Sequence, residues 1–397
     1  MKFIIFLLFK GIFIKRVFLA LFLFSLLSCS TSFLKKDKSK EPLPLVDFNP
    51  KVELIKEWSR DIKHGQGKDQ NKFELGFDKD NVYVASINGL IEKYDLTGKL
   101  IWSKKISKLS TGIGVGENGL AVVSNDGYLI FFEKNNGREI WRENLYAEVL
   151  APPQISKGIL VLQTFDGRLI GFNASNGVKL WVHTVDVPIL TLRGTATPVI
   201  ENKHVYSAFS DGKLKKLDLE SGNLLWEQTV STSRGESDIQ RIVDIDGSPL
   251  VSSNRVFASS YNGNLAAFNK SNGRPLWREK NSSYQGLAQG FRSIYTVDDK
   301  STVLAFDSDS GDVRWKQEAF LYRELGTPVI YSGYLLVLDS YGFLHVLSQL
   351  DGDFIGREKV ANIGSRAPMV VKNEKLHIYL DNGKLIVYDL KHVIPRK

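Results

Sequence analysis

The sequence predicts an all-β chain: an eight-bladed β-propeller of four-stranded antiparallel blades, its ring closed by the N-terminal strand. Three observations carry that prediction. Trp102, Trp141, Trp181, Trp226, Trp277 and Trp315 recur at intervals of 39, 40, 45, 51 and 38 residues, each four residues after a glycine. Turn dipeptides recur in step with them, from Asn88-Gly89 to Asn382-Gly383. The last copy lacks room for its fourth strand, while an orphan strand stands before the first copy. A repeat of roughly 40 residues holding four strands is the mark of a propeller.

Composition agrees. Of 397 residues, 43% are hydrophobic and 24% charged, close to a globular average. Disordered, collagen-like and polytopic membrane classes are excluded. The single cysteine excludes a disulfide framework and multi-cysteine metal sites. The six histidines are too scattered to form a helical zinc pair.

The elements follow in chain order. Lys2, Lys10, Lys15 and Arg16 flank two apolar runs, the second of 11 residues from Val17 to Leu27. That run is too short to span a bilayer and suits a signal peptide. It ends in Leu26-Leu27-Ser28-Cys29, which resembles the bacterial lipobox. Residues 1–28 are therefore expected to be a lipoprotein signal peptide and Cys29 the lipidated residue. Several acyl chains would anchor it, since one chain holds only marginally. Ser30 in place of an Asp favours the outer over the inner membrane. Residues 29–50, rich in Ser, Lys and Pro, read as a flexible stalk.

Residues 51–397 form the propeller. Half of the formal charge of +8 lies in residues 1–28, which hold four Lys/Arg and no acid. The body keeps little net charge and offers no basic stripe for nucleic acid. Val52 to Trp58 is the orphan strand. Each later unit reads strand, strand, Asn/Asp-Gly turn, strand, glycine turn, strand ending in Trp. The Asn-Gly and Asp-Gly pairs predict two-residue hairpins with both central residues at φ > 0. The sixth copy has Asp299-Lys300 there, which predicts a lengthened or reshaped turn. Copy seven has Gly352 in register, but Gly356 replaces its Trp. Copy eight ends near Tyr388-Asp389, so the orphan strand is expected beside Lys384 to Asp389, pairing both free edges. The tryptophans are read as packing between blades, and the repeated Asp and Gly residues as turn chemistry.

The phrase apolar-Asp-x-x-x-Gly-x-x-x-Trp, as in Leu217 to Trp226, resembles the repeat of pyrroloquinoline-quinone enzymes. With a lipobox, a stalk and eight blades, the chain resembles the BamB family of outer-membrane assembly lipoproteins. The resemblance implies a non-enzymatic scaffold of the β-barrel assembly complex, tethered by lipid at the periplasmic face of the outer membrane. It implies binding to the periplasmic POTRA domains of a BamA-like insertase, indirect association with other assembly lipoproteins, and no cofactor. The two longest Trp intervals place enlarged connectors in adjacent blades. The first holds Pro188 to Gly194 and the second Arg241 to Asp246. By resemblance, Leu190, Leu192, Arg193, Asp244 and Asp246 are the partner-binding residues. From the residues themselves, two leucines two apart on an extended loop point the same way, and with an Arg they suit a hot spot. The alternative is that the leucines plug the loop onto its blade and Arg193 pairs internally with Asp244 or Asp246.

Two other functions compete. A propeller of this repeat could bind another envelope ligand through its channel. A quinoprotein dehydrogenase would need an adjacent-cysteine disulfide, which one cysteine cannot supply, and a calcium site, for which no clear loop pattern exists.

Overall fold

A computed structural model describes residues 40–67, 71–232, 237 and 241–393. The expected signal peptide and Cys29 lie outside the described residues. From Leu43 onward the chain is one unit of eight four-stranded antiparallel sheets. Seven blades are continuous in sequence: 76–105, 114–144, 154–184, 199–229, 250–280, 288–317 and 329–359. We number them one to seven and letter their strands a to d from the inside outward.

Blade eight is built from both ends of the chain. Three strands come from residues 370–392, and the fourth is the N-terminal strand Val52–Asp61. That strand pairs antiparallel with Lys384–His392, from Val52 opposite His392 to Asp61 opposite Lys384. The ring therefore closes as its missing and orphan strands foretell.

Strands b and c of each blade are buried almost throughout, as in Leu120 to Val123 and Leu335 to Leu338. Neighbouring blades cover both of their faces, which explains their continuous apolar runs. Strands d show only one side to the core, and a bulge interrupts each d strand in blades one to seven just before its Trp or, in blade seven, Gly356.

All seven tryptophans do one job. Each sits on a d strand, packs on the glycine of the next blade's c–d turn, and donates its indole N–H to a backbone carbonyl there. Trp181 donates to Leu219 O at 3.0 Å, and a Cβ built on Gly222 would lie 2.5 Å from its ring. Trp58 makes the same contact from the N-terminal strand, donating to Leu96 O at 2.9 Å beside Gly98. Blade seven meets a different neighbour. The c and d strands of blade eight come from opposite chain ends, so no c–d turn exists for a Trp to dock on. Val52 packs on Gly356 instead, and Lys51 N–H donates to Ile355 O at 2.8 Å.

Three expectations need correction. In most b–c turns only the glycine has φ > 0, as at Gly89 (88°) and Gly167 (87°). Gly89 N–H donates to Ser86 O and Ser86 N–H to Leu90 O, both at 2.9 Å. This is a type I turn closed by a left-handed glycine, not a two-residue hairpin. The sixth copy is not lengthened either. Ser301 takes the glycine's place at φ 71°, and Asp298 Oδ1 accepts the N–H groups of Lys300 and Thr302 at 3.0 and 2.6 Å. Finally, residues 43–50 do not hang free as the end of a stalk. Phe48 stacks on Phe354 with centroids 5.4 Å apart, Arg323 donates to Leu43 O at 2.9 Å, and Arg357 donates to Val46 O at 2.9 Å. The Ser, Lys and Pro of the residues before them hid these apolar anchors.

Candidate docking face

The d-to-a connectors and the b–c turns share one face of the ring. Apart from blade six, whose turn has no glycine, each connector starts by bonding to a turn glycine, as Leu145 N–H to Gly127 O and Val185 N–H to Gly167 O, both at 2.9 Å. The enlarged connectors after blades three and four therefore emerge side by side.

The first connector projects. Ile189 is fully exposed and Leu190 is 46% exposed; Leu192 is half-buried and Arg193 exposed. Val187 folds back over Gly167, which fixes the root of the loop. Residues 243–247 of the second connector do the opposite. Asp244 and Asp246 are buried, at 2% and 6% exposure. The five expected residues come together, but in two layers. The Asp244 carboxylate accepts the backbone N–H of Leu192, and Gly194 lies against the Asp246 carboxylate, with room for no Cβ.

The electrostatics follow from that burial. Desolvation, and the charge of Asp246 beside it, push the Asp244 carboxyl well above the usual carboxylate range. Burial also raises Asp246, offset in part by the charge of Lys72. Asp244 Oδ2 and Asp246 Oδ1 have no hydrogen-bond partner. Lys72 reaches from the connector ahead of blade one to donate to the Asp246 carbonyl at 2.7 Å. Nearby, Thr197 donates to Glu74 Oε1 at 2.7 Å, and burial raises the Glu74 carboxyl. These polar bonds across the ring tie the inner ends of the connectors together.

Arg193 pairs with neither aspartate. Its guanidinium meets Glu148 Oε1 at 2.5 Å, and both side chains are partly exposed. Glu148 belongs to the connector of blade two, which Phe165 N–H also reaches, donating to Glu148 O at 2.8 Å. Spacing had offered no reason to look at Glu148. Its signal is positional: it lies in the connector next to the enlarged one.

Such a face can bind but shows no constellation for chemistry. Among the described residues, no three His, Cys, Asp or Glu side chains gather to hold a metal ion. An apolar loop tip, an exposed ion pair at its flank and a rigid polar floor are the parts of a protein-docking surface.

Comparison with known proteins shows the family and the fold. Residues 60–317, more than half of the chain, match the family described as outer membrane protein assembly factor BamB. The outer membrane protein assembly factor BamB of Pseudomonas aeruginosa is 34% identical over 92% of this chain and 96% of its own length. The crystal structure of BamB from Moraxella catarrhalis superposes with a TM-score of 0.79 at 25% identity, over 85% of this chain and 99% of that one. A quinohemoprotein alcohol dehydrogenase from Comamonas testosteroni shares the fold, with a TM-score of 0.67 at 11% identity over 87% of this chain and 78% of that one.

Proposed function

The chain belongs to the family of the outer membrane protein assembly factor BamB, and from that premise we propose that it is a scaffold lipoprotein assisting β-barrel insertion. Its work is geometric, not catalytic. Cys29 carries the lipid that holds the ring at the periplasmic face of the outer membrane. The ring presents its connector face to the POTRA domains of a BamA-like insertase and so orients them. Other assembly lipoproteins associate with it indirectly, through that insertase.

The observation that carries this reading is the two-layered loop pair. Leu190 and Leu192 lie on a projecting loop whose backbone is bonded from beneath by the buried Asp244 carboxylate and packed against that of Asp246. Exposed apolar side chains on a pre-organised loop lose little entropy on docking. Leu190, Leu192 and Arg193 are the contacting residues in this account, and Asp244 and Asp246 position them. A quinoprotein dehydrogenase shares the fold with this chain at 11% identity, which bears on architecture and not on activity.

The test is to purify the tagged, full-length lipoprotein from gently solubilised envelopes and identify what accompanies it. The insertase should be recovered in near-equal amount. A partner set without it would overturn the proposal. Fatty-acid labelling of the wild type and of Cys29→Ser checks the anchor: no other thiol can accept the lipid, so the variant should carry no label.

A further inference from the structure

The repeat supplies its own control for a residue that packing does not explain. Take the fifth position beyond each d-strand Trp, or beyond Gly356. Lys63, Ser107, Asp186, Ser231, Ser282 and Ala361 are small or polar, and Phe320 is buried at 1% exposure. In blade two the position holds Tyr146, which is 87% exposed. Its backbone is left-handed, with φ 49°, a conformation that residues bearing a Cβ rarely adopt. The side chain of Asn144 holds it there, accepting Tyr146 N–H at 2.9 Å. A large aromatic kept in a strained turn with its ring in water contributes nothing to the core.

Its surroundings point to a role. The carbonyl of Leu145, just before it, accepts a bond from Arg168 at the start of the blade-three c strand at 3.2 Å. Glu148, two residues on, is the partner of Arg193. Tyr146 and the Leu190 loop therefore flank one ion pair on one face. Tyrosine and arginine are among the side chains enriched in binding hot spots, and partly exposed ion pairs suit the rim between them.

We infer that Tyr146 is a second anchor on the docking face, so that the partner surface spans the connectors of blades two and three. This rests on the docking reading above. The occupant is the same folded domain that engages Leu190. It must offer one apolar contact to the loop tip, a second to the tyrosine ring, and polar groups between them for Arg193 and Glu148.

Photocrosslinking in intact cells tests this with the full-length lipoprotein. The photoreactive residue p-benzoylphenylalanine is placed at position 146, at 190, or at 313 on the outer strand of blade six as a control. Positions 146 and 190 should both give an adduct with the insertase, and 313 none. An adduct from 190 without one from 146 overturns this inference and leaves the docking reading standing. No adduct from either position overturns both, and an adduct from 146 to a different protein, or from 146 without 190, overturns the shared surface. In parallel, Tyr146→Ser, which installs the residue common in the other blades, should weaken insertase binding about tenfold with an unchanged melting temperature. Unchanged affinity would also contradict the inference.

Discussion

Asp244 and Asp246 show best what a sequence can and cannot say about a residue. Their spacing in an enlarged connector was legible, and so was their association with the loop that carries Leu190. Their depth was not, because an Asp-x-Asp in a polar loop looks the same whether it faces solvent or lies under a neighbour. Burial casts them as supports in the proposed docking, and it gives the protein a definite pH response. Both carboxyls titrate above their unfolded range. Such groups contribute stability that is fully present below the unfolded pKa of about 4 and is lost as pH rises through the raised folded values. Asp246→Asn keeps the shape and removes one of the two like charges. It should leave the melting temperature near pH 4 almost unchanged and raise stability near pH 7.5 by about 1 kcal/mol or more. Melts across pH 4 to 8 measure this. A variant destabilised equally at both ends would show that packing at this site, and not the repulsion between the two carboxylates, governs its stability. Arg193 carries a similar lesson. Its partner, Glu148, lies 45 residues away in another connector, and no local pattern announces such a pairing.

Among elements, the d strands were the most legible because one physical device is repeated in them seven times. A Trp needs a glycine to dock on: any Cβ at Gly222 would enter the ring of Trp181. The Gly-x-x-x-Trp spacing therefore records a contact with both neighbours, the glycine receiving one Trp while the next Trp reaches onward. Trp181→Ala should cost roughly 3–5 kcal/mol, the range for an emptied aromatic core site, read from denaturant unfolding. A loss under 1 kcal/mol would mean that the ring does not depend on these docks. The missing Trp of copy seven also has its reason, since its neighbouring blade has no c–d turn to receive one. The segment 43–50 was illegible. Its anchors are Phe48 and the backbone carbonyls of Leu43 and Val46, held by Arg323 and Arg357, and Arg323 is itself fixed by a buried ion pair with Asp339 at 2.6 Å. Turn type was illegible for another reason: Asn-Gly serves two hairpin geometries, and the strand ends decide between them.

For the whole molecule, closure and docking are the two claims. Closure joins the N-terminal strand to blade eight, so deleting residues 51–58 removes an outer strand and exposes an edge in one step. That deletion should lower the melting temperature far more than deleting residues 30–42, which stops short of the anchored segment. Equal melts would mean that the ring does not depend on its N-terminal strand. The ring's rigidity then serves the connector face: eight interlocked blades fix where the loops emerge, and bonds across the ring, such as Lys72 to Asp246, hold their inner ends. The central claim is that this face docks the insertase through the Leu190–Arg193 loop. The most direct measurement is the affinity of the full-length protein for the detergent-solubilised insertase, with and without Leu190→Ala and Leu192→Ala together, beside a thermal melt of each. The account predicts a loss of roughly 1–4 kcal/mol in binding for each leucine and little change in the melt, because connector loops contribute less core than blade strands. Undiminished binding by a normally folded double variant would contradict it.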